Sequence, residues 1–140
     1  MTHRSDILTR LKKKKIVMGM LHLKGESDIE IMERVKREYD AYVTGGVDGV
    51  VVENYFNTFD SIRLALEYLA PLHGPVALGV NCLRSESMGL ELALEFDTDF
   101  VQLDSVVGHV EPRDEPTLSA FFRLWRRRYS GYVLGGVRFK

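Results

Sequence analysis

Val47-Asp48-Gly49-Val50-Val51-Val52-Glu53-Asn54-Tyr55 is a β-branched run, apolar in its middle and polar at its far end. A strand of a helix-covered parallel sheet reads as such a near-continuous apolar run, whereas a half-solvated strand alternates. Upstream, Ser27 stands three residues before Glu30 as a capping box, and Ile31, Val35, Tyr39 and Tyr42 form a helical stripe that stops at Gly45-Gly46. Downstream, Asp60–Ala70 reads as a helix closed by Pro71. A strand set between two amphipathic helices is the signature of βα units.

The same alternation extends in both directions. Ile16–His22 forms the first strand, behind a short amphipathic lead with Ile7, Leu8 and Leu11. Pro75–Leu83 is the third strand, followed by a helix from Ser85 through Leu90, Ala93 and Leu94. Asp99–Val106 is the fourth, and the helix after it, from near Thr117, should carry Leu118, Phe121, Phe122, Leu124 and Trp125 inward and end at Ser130-Gly131. Tyr132–Lys140 is the fifth. Five strands with four intervening helices suit either an open doubly wound sheet or the first part of an eight-stranded barrel. Gly25 stands alone after His22-Leu23-Lys24, so the glycine-rich turn of a dinucleotide site is missing.

Composition narrows the function classes. The 140 residues fit one domain, and 45% apolar content supplies a core. A net charge of −1 gives no bulk field for nucleic acid. The single cysteine, Cys82, forms no internal disulfide, which suits the cytoplasm. No apolar run nears the ~20 residues of a membrane span, and Met1–Lys15 is too polar for a secretory signal. The Lys12–Lys15 and Arg126–Arg128 runs read as solvated helix ends, with peripheral membrane association as their other reading.

Polar side chains gather where the strands end. They are His22, then Glu53 and Asn54, then Asn81, then Gln102 and Asp104, and finally Arg138 and Lys140. Strand alternation places Gln102 and Asp104 on one face and Met18, Met20 and His22 on one face. In a barrel the C-terminal edge carries the active site, so Glu53, His22 and Asp104 are the catalytic candidates. Asn54, Asn81, Arg84, Gln102 and Arg138 are the ligand-binding candidates. Arg84 precedes a helix start at Ser85, where backbone amides favour anions. Each of these residues also has a plainer reading, as a partner for loop amides or a solvated charge. Cys82 takes the opposite parity to Asn81 and should pack against a helix. His22, Glu53 and Asp104 are suitable metal-ligand types, yet no element holds two ligands at metal spacing, so neither metal nor cofactor is expected.

Gly19-Met20-Leu21-His22-Leu23, Val47–Tyr55, Leu78-Gly79-Val80-Asn81-Cys82-Leu83-Arg84 and Thr98–Asp104, taken together, resemble the BtpA/SgcQ family. The resemblance runs from about Lys15 to the last residue. It implies a TIM-type (β/α) barrel, incomplete here, with residues 1–140 as the N-terminal part of a single domain, since a full barrel takes ~250 residues. It further implies a small, phosphorylated sugar or nucleotide-like ligand handled by isomerase or lyase chemistry. The alternative is a non-catalytic assembly factor for a membrane protein complex such as photosystem I. In the enzymatic reading Glu53 is the general acid or base, His22 a proton donor or orienting group, and Asn81 and Arg84 anchors. After the fourth strand, Gly108–Asp114 replaces the acidic Asp-Gln-Gly segment of many members. Open strand edges make a homo-oligomer the expected state, and no nucleic-acid partner is expected.

Overall fold

The computed structural model describes residues 9, 12, 15–104 and 114–136. Five strands alternate with four helices: β1 (Met18–Leu21), α1 (Asp28–Gly45), β2 (Gly49–Glu53), α2 (Phe59–Leu69), β3 (Ala77–Asn81), α3 (Glu86–Glu95), β4 (Phe100–Leu103), α4 (Glu115–Arg126) and β5 (Tyr132–Gly135). All neighbours pair in parallel, and the strand order is β1-β2-β3-β4-β5. Sequential order rules out a doubly wound sheet, in which the order reverses at a switch point.

Helix ends follow their sequence signals. The Ser27 hydroxyl accepts the Glu30 N–H at 3.3 Å. The returning bond of the box is displaced by one residue, since the Glu30 carboxylate accepts from Glu26 N–H at 2.9 Å. Gly46 closes α1 at φ 77°, a conformation that favours glycine, and its N–H meets the Tyr42 and Val43 carbonyls. Ser85 and Asp114 cap α3 and α4 through their side chains.

Strand parity separates two apolar layers. Val50, Val52, Leu78, Val80, Val101 and Leu103 face the helices and pack with Ile31, Val35, Ile62, Leu66 and Leu90. Fully burying each such side chain contributes ~1.5–3 kcal/mol, so this layer dominates the stability. The opposite face carries a smaller cluster of Val51, Ala77 and Phe100, with Met18, Met20, Tyr132 and Leu134 against it. The Phe100 ring lies over Gly79, where a Cβ would stand 2.1 Å from it.

Leu124 departs from the sequence expectation. It is 61% exposed, because Leu118, Phe121, Phe122 and Trp125 already complete an i, i+3, i+4, i+7 stripe and Leu124 falls outside it. Strands are also shorter than their apolar runs. The Asp48 carboxylate turns back to accept Val17 N–H at 3.0 Å, and Asp99 likewise accepts Leu78 N–H at 2.9 Å. Each aspartate thus ties the start of a neighbouring strand at the N-terminal edge, opposite the polar end.

Candidate functional site

On the face away from the helices, the C-terminal edge is polar across four consecutive strands. His22 follows Leu21 of β1 and shares the face of Met18 and Met20. Glu53 ends β2 on the face of Val51, and Asn81 ends β3 directly beside it in register. Asp104 follows β4 on the face of Phe100, with Gln102 one step below it.

The four side chains form one row. His22 Nε2 lies 3.6 Å from Glu53 Oε1. Asn81 Nδ2 donates to Glu53 Oε2 at 2.8 Å and stands 3.5 Å from Asp104 Oδ1. Glu53 and Asn81 are buried, 7% and 1% exposed, while the His22 side chain is 43% exposed and reaches the rim. Two carboxylates around one amide hold it with Nδ2 toward them, since a carbonyl oxygen there would meet two acceptors. Among the described residues, Asn81 Oδ1 is consequently left buried with no hydrogen-bond partner. An orphaned acceptor of this kind costs ~1–3 kcal/mol and calls for an explanation.

Above the row stands an aromatic wall. Tyr55 and Phe56, 60% and 53% exposed, pack on His22 with ring centroids 5.1 and 6.2 Å away. They meet each other at 4.8 Å, edge to face. Lys24 Nζ lies 5.4 Å from the Phe56 ring centre. Asn57 anchors this corner: its amide donates to the carbonyls of Leu23 and Gly25, and its oxygen accepts from Thr58 N–H and the Ser61 hydroxyl. Leu23 and Arg84, in the loops leaving β1 and β3, hold φ of 59° and 70°. Left-handed backbone costs a side-chain-bearing residue roughly 1–2 kcal/mol, so both loops are held by their surroundings.

The remaining sequence candidates fall elsewhere. Asn54 points to the other side, where its side-chain oxygen accepts Leu83 N–H at 2.8 Å and fixes the β3 loop. Arg84 is exposed at the turn into α3, outside the row. Arg138 lies outside the described residues, as do Lys140 and residues 105–113. Cys82 is buried against the helices, and burial pushes its thiol up to about 12, which leaves it protonated and inert at neutral pH. Among the described residues no group of three or more His, Cys, Asp or Glu side chains is placed to hold a metal ion. Nor is any helix there long and apolar enough to cross a membrane.

Sequence reading missed Asn57, Tyr55 and Phe56 as site-builders, and Asp48 and Asp99 as strand ties. An aromatic pair directly after a strand's polar end, with an asparagine before a helix start, is the local signal that marks the first three. A cavity of about 930 Å³ lies away from the row, between α4 and β5, lined by Leu118, Phe122, Trp125 and Val133. Arg123, Arg126 and Arg127 also line it, so it is an apolar groove with a basic border, and it holds none of the polar edge. No family model, curated protein or solved structure matches the chain.

Proposed function

We propose that the polar edge is the mouth of a TIM-type (β/α) barrel of BtpA/SgcQ type, acting in the cytoplasm on a small, phosphorylated sugar or nucleotide-like metabolite by proton transfer. The observation that carries this reading is the row itself, with one polar side chain from each of four successive strands meeting at the C-terminal edge. Such convergence is how barrel enzymes assemble chemistry from separate strand ends. Glu53, shielded and in contact with Asn81, is the acid or base. His22, at the rim 3.6 Å away, passes the proton to solvent. Asn81 and Asp104 orient the ligand. An isomerase- or lyase-type reaction begins by moving a proton beside a carbonyl, which needs one such pair.

Deuterium wash-in tests the reading. Incubated in D2O with D-ribose 5-phosphate and other aldose or ketose phosphates, the protein should exchange a C–H beside the carbonyl. Glu53→Gln should slow that exchange by about 10²–10⁴-fold, the usual worth of a positioned acid or base. Absence of exchange with every sugar phosphate overturns the reading.

The second reading, a non-catalytic assembly factor, is favoured by the groove beside α4, whose apolar floor has a basic border, and by Leu124, exposed on the same helix outside it. It predicts that Leu124→Glu abolishes partner binding and that Glu53→Gln has no effect on it.

A further inference from the structure

We infer that the floor of this mouth recognises the hydroxyl groups of a sugar or cyclitol ring, and that any anionic substituent of the ligand stays at the rim. The inference rests on the reading of the edge as a ligand site and names what that site takes.

Three groups on the floor are acceptors. Asn81 Oδ1 is buried without a partner among the described residues, and the Glu53 and Asp104 carboxylates flank the same amide. Solvent does not reach Oδ1 in this arrangement, so a ligand hydroxyl is the donor it lacks. A phosphate on this floor would bring an anion against two carboxylates and offer no donor to Oδ1 when fully ionised. Hydroxyls suit these acceptors, one O–H to each, because each donates and carries no charge. Vicinal hydroxyls, spaced as on a ring, match acceptors on adjacent strands.

The wall selects the rest of the ligand. Tyr55 and Phe56 are large exposed rings, fixed against His22 and each other, at the edge of a row of acceptors. A flexible polyol gains little from such a surface, whereas the C–H face of a furanose, pyranose or cyclitol ring covers it while its hydroxyls point to the floor. Among the described residues, the cations nearest the wall stand further out. Lys24 sits over the outer aromatic ring, and Arg84 is exposed in the β3 loop. Of the described cations, an anionic tail therefore meets Lys24 or Arg84 once the ring is seated.

Calorimetry and thermal shift on the full chain, with D-ribose, D-glucose and myo-inositol as neutral probes and inorganic phosphate as the anionic one, test this. At least one neutral probe should bind and raise the melting temperature, and phosphate alone should not. Asn81→Leu should weaken that binding about tenfold or more, the worth of one lost hydrogen bond. Tyr55→Ala, a change at an exposed position that leaves folding intact, should weaken it too. Binding of phosphate but of no neutral probe overturns the inference, as does neutral-probe binding that both variants retain in full. If ring binding holds and deuterium exchange is absent, the catalytic reading fails and this one stands. Exchange without Asn81-dependent ring binding is the reverse outcome.

Discussion

Cys82 and Asn81 are chain neighbours on opposite faces of the same sheet, and their chemistry divides accordingly. Packed against the helices, the Cys82 thiol ionises only near pH 12, against an ordinary value of 9.0. Above pH 9 the unfolded chain releases this proton while the folded chain keeps it, so its contribution is intact below pH 9 and stability falls as pH rises from there toward 12. Cys82→Ser should flatten that alkaline decline in a pH series of unfolding measurements. At neutral pH a thiol reagent should label the protein only on unfolding, and fast labelling of the native chain would place Cys82 in the site instead. Parity made this division readable in the sequence, while the alignment of His22, Glu53, Asn81 and Asp104 across four strands depends on the register of the pairing. The engagement of Asn54 with Leu83 N–H was not readable, because it depends on how two loops meet in space.

Among the elements, β3 shows how a close approach specifies a residue. Gly79 admits no side chain because the Phe100 ring from β4 occupies its Cβ position. Gly79→Ala should therefore cost ~1–3 kcal/mol by overpacking, and Phe100→Leu in the same chain should recover part of it, as read by urea denaturation. Full tolerance of Gly79→Ala would show that the ring moves freely. At the start of α1, Ser27→Ala should cost about 1 kcal/mol through loss of the cap to Glu30 N–H. The capped starts at Ser27 and Ser85 and the alternation of strands and helices were legible, since caps and apolar periods are local, whereas the residues alone left open whether the sheet is doubly wound or sequential. Strand ends were less so: β2 stops at Glu53 rather than Tyr55, and the Asp48 side chain, just before β2, accepts from Val17 N–H. Leu124 shows the other limit, for apolar character in a helix marks the core only where the period agrees.

For the whole molecule, the described residues form an open sheet in which β1 and β5 each pair on one side only. Met18, Met20, Tyr132 and Leu134 on these outer strands are only half-buried, so the inner layer is incompletely covered. At ~25 cal/mol per Å² of apolar area, covering it would contribute several kcal/mol, comparable to a domain's whole stability of ~5–15 kcal/mol. Light scattering behind a sizing column should accordingly find the 140-residue chain associated, and a sharp 16.0 kDa monomer with a cooperative melt would contradict that. Glu53 distinguishes a row that serves a ligand from one that serves the fold. Its buried carboxylate meets one amide donor, a histidine at 3.6 Å and, across Asn81, a second carboxylate. Gln keeps the shape and the bond from Asn81 and removes the repulsion, as expected where a site sets function against stability. Unfolding of Glu53→Gln beside the unaltered protein, with deuterium wash-in followed on the same samples, is the direct measurement: stability equal within about 0.5 kcal/mol or higher, with exchange lost, is the predicted result, and a loss above ~2 kcal/mol with exchange retained would contradict it.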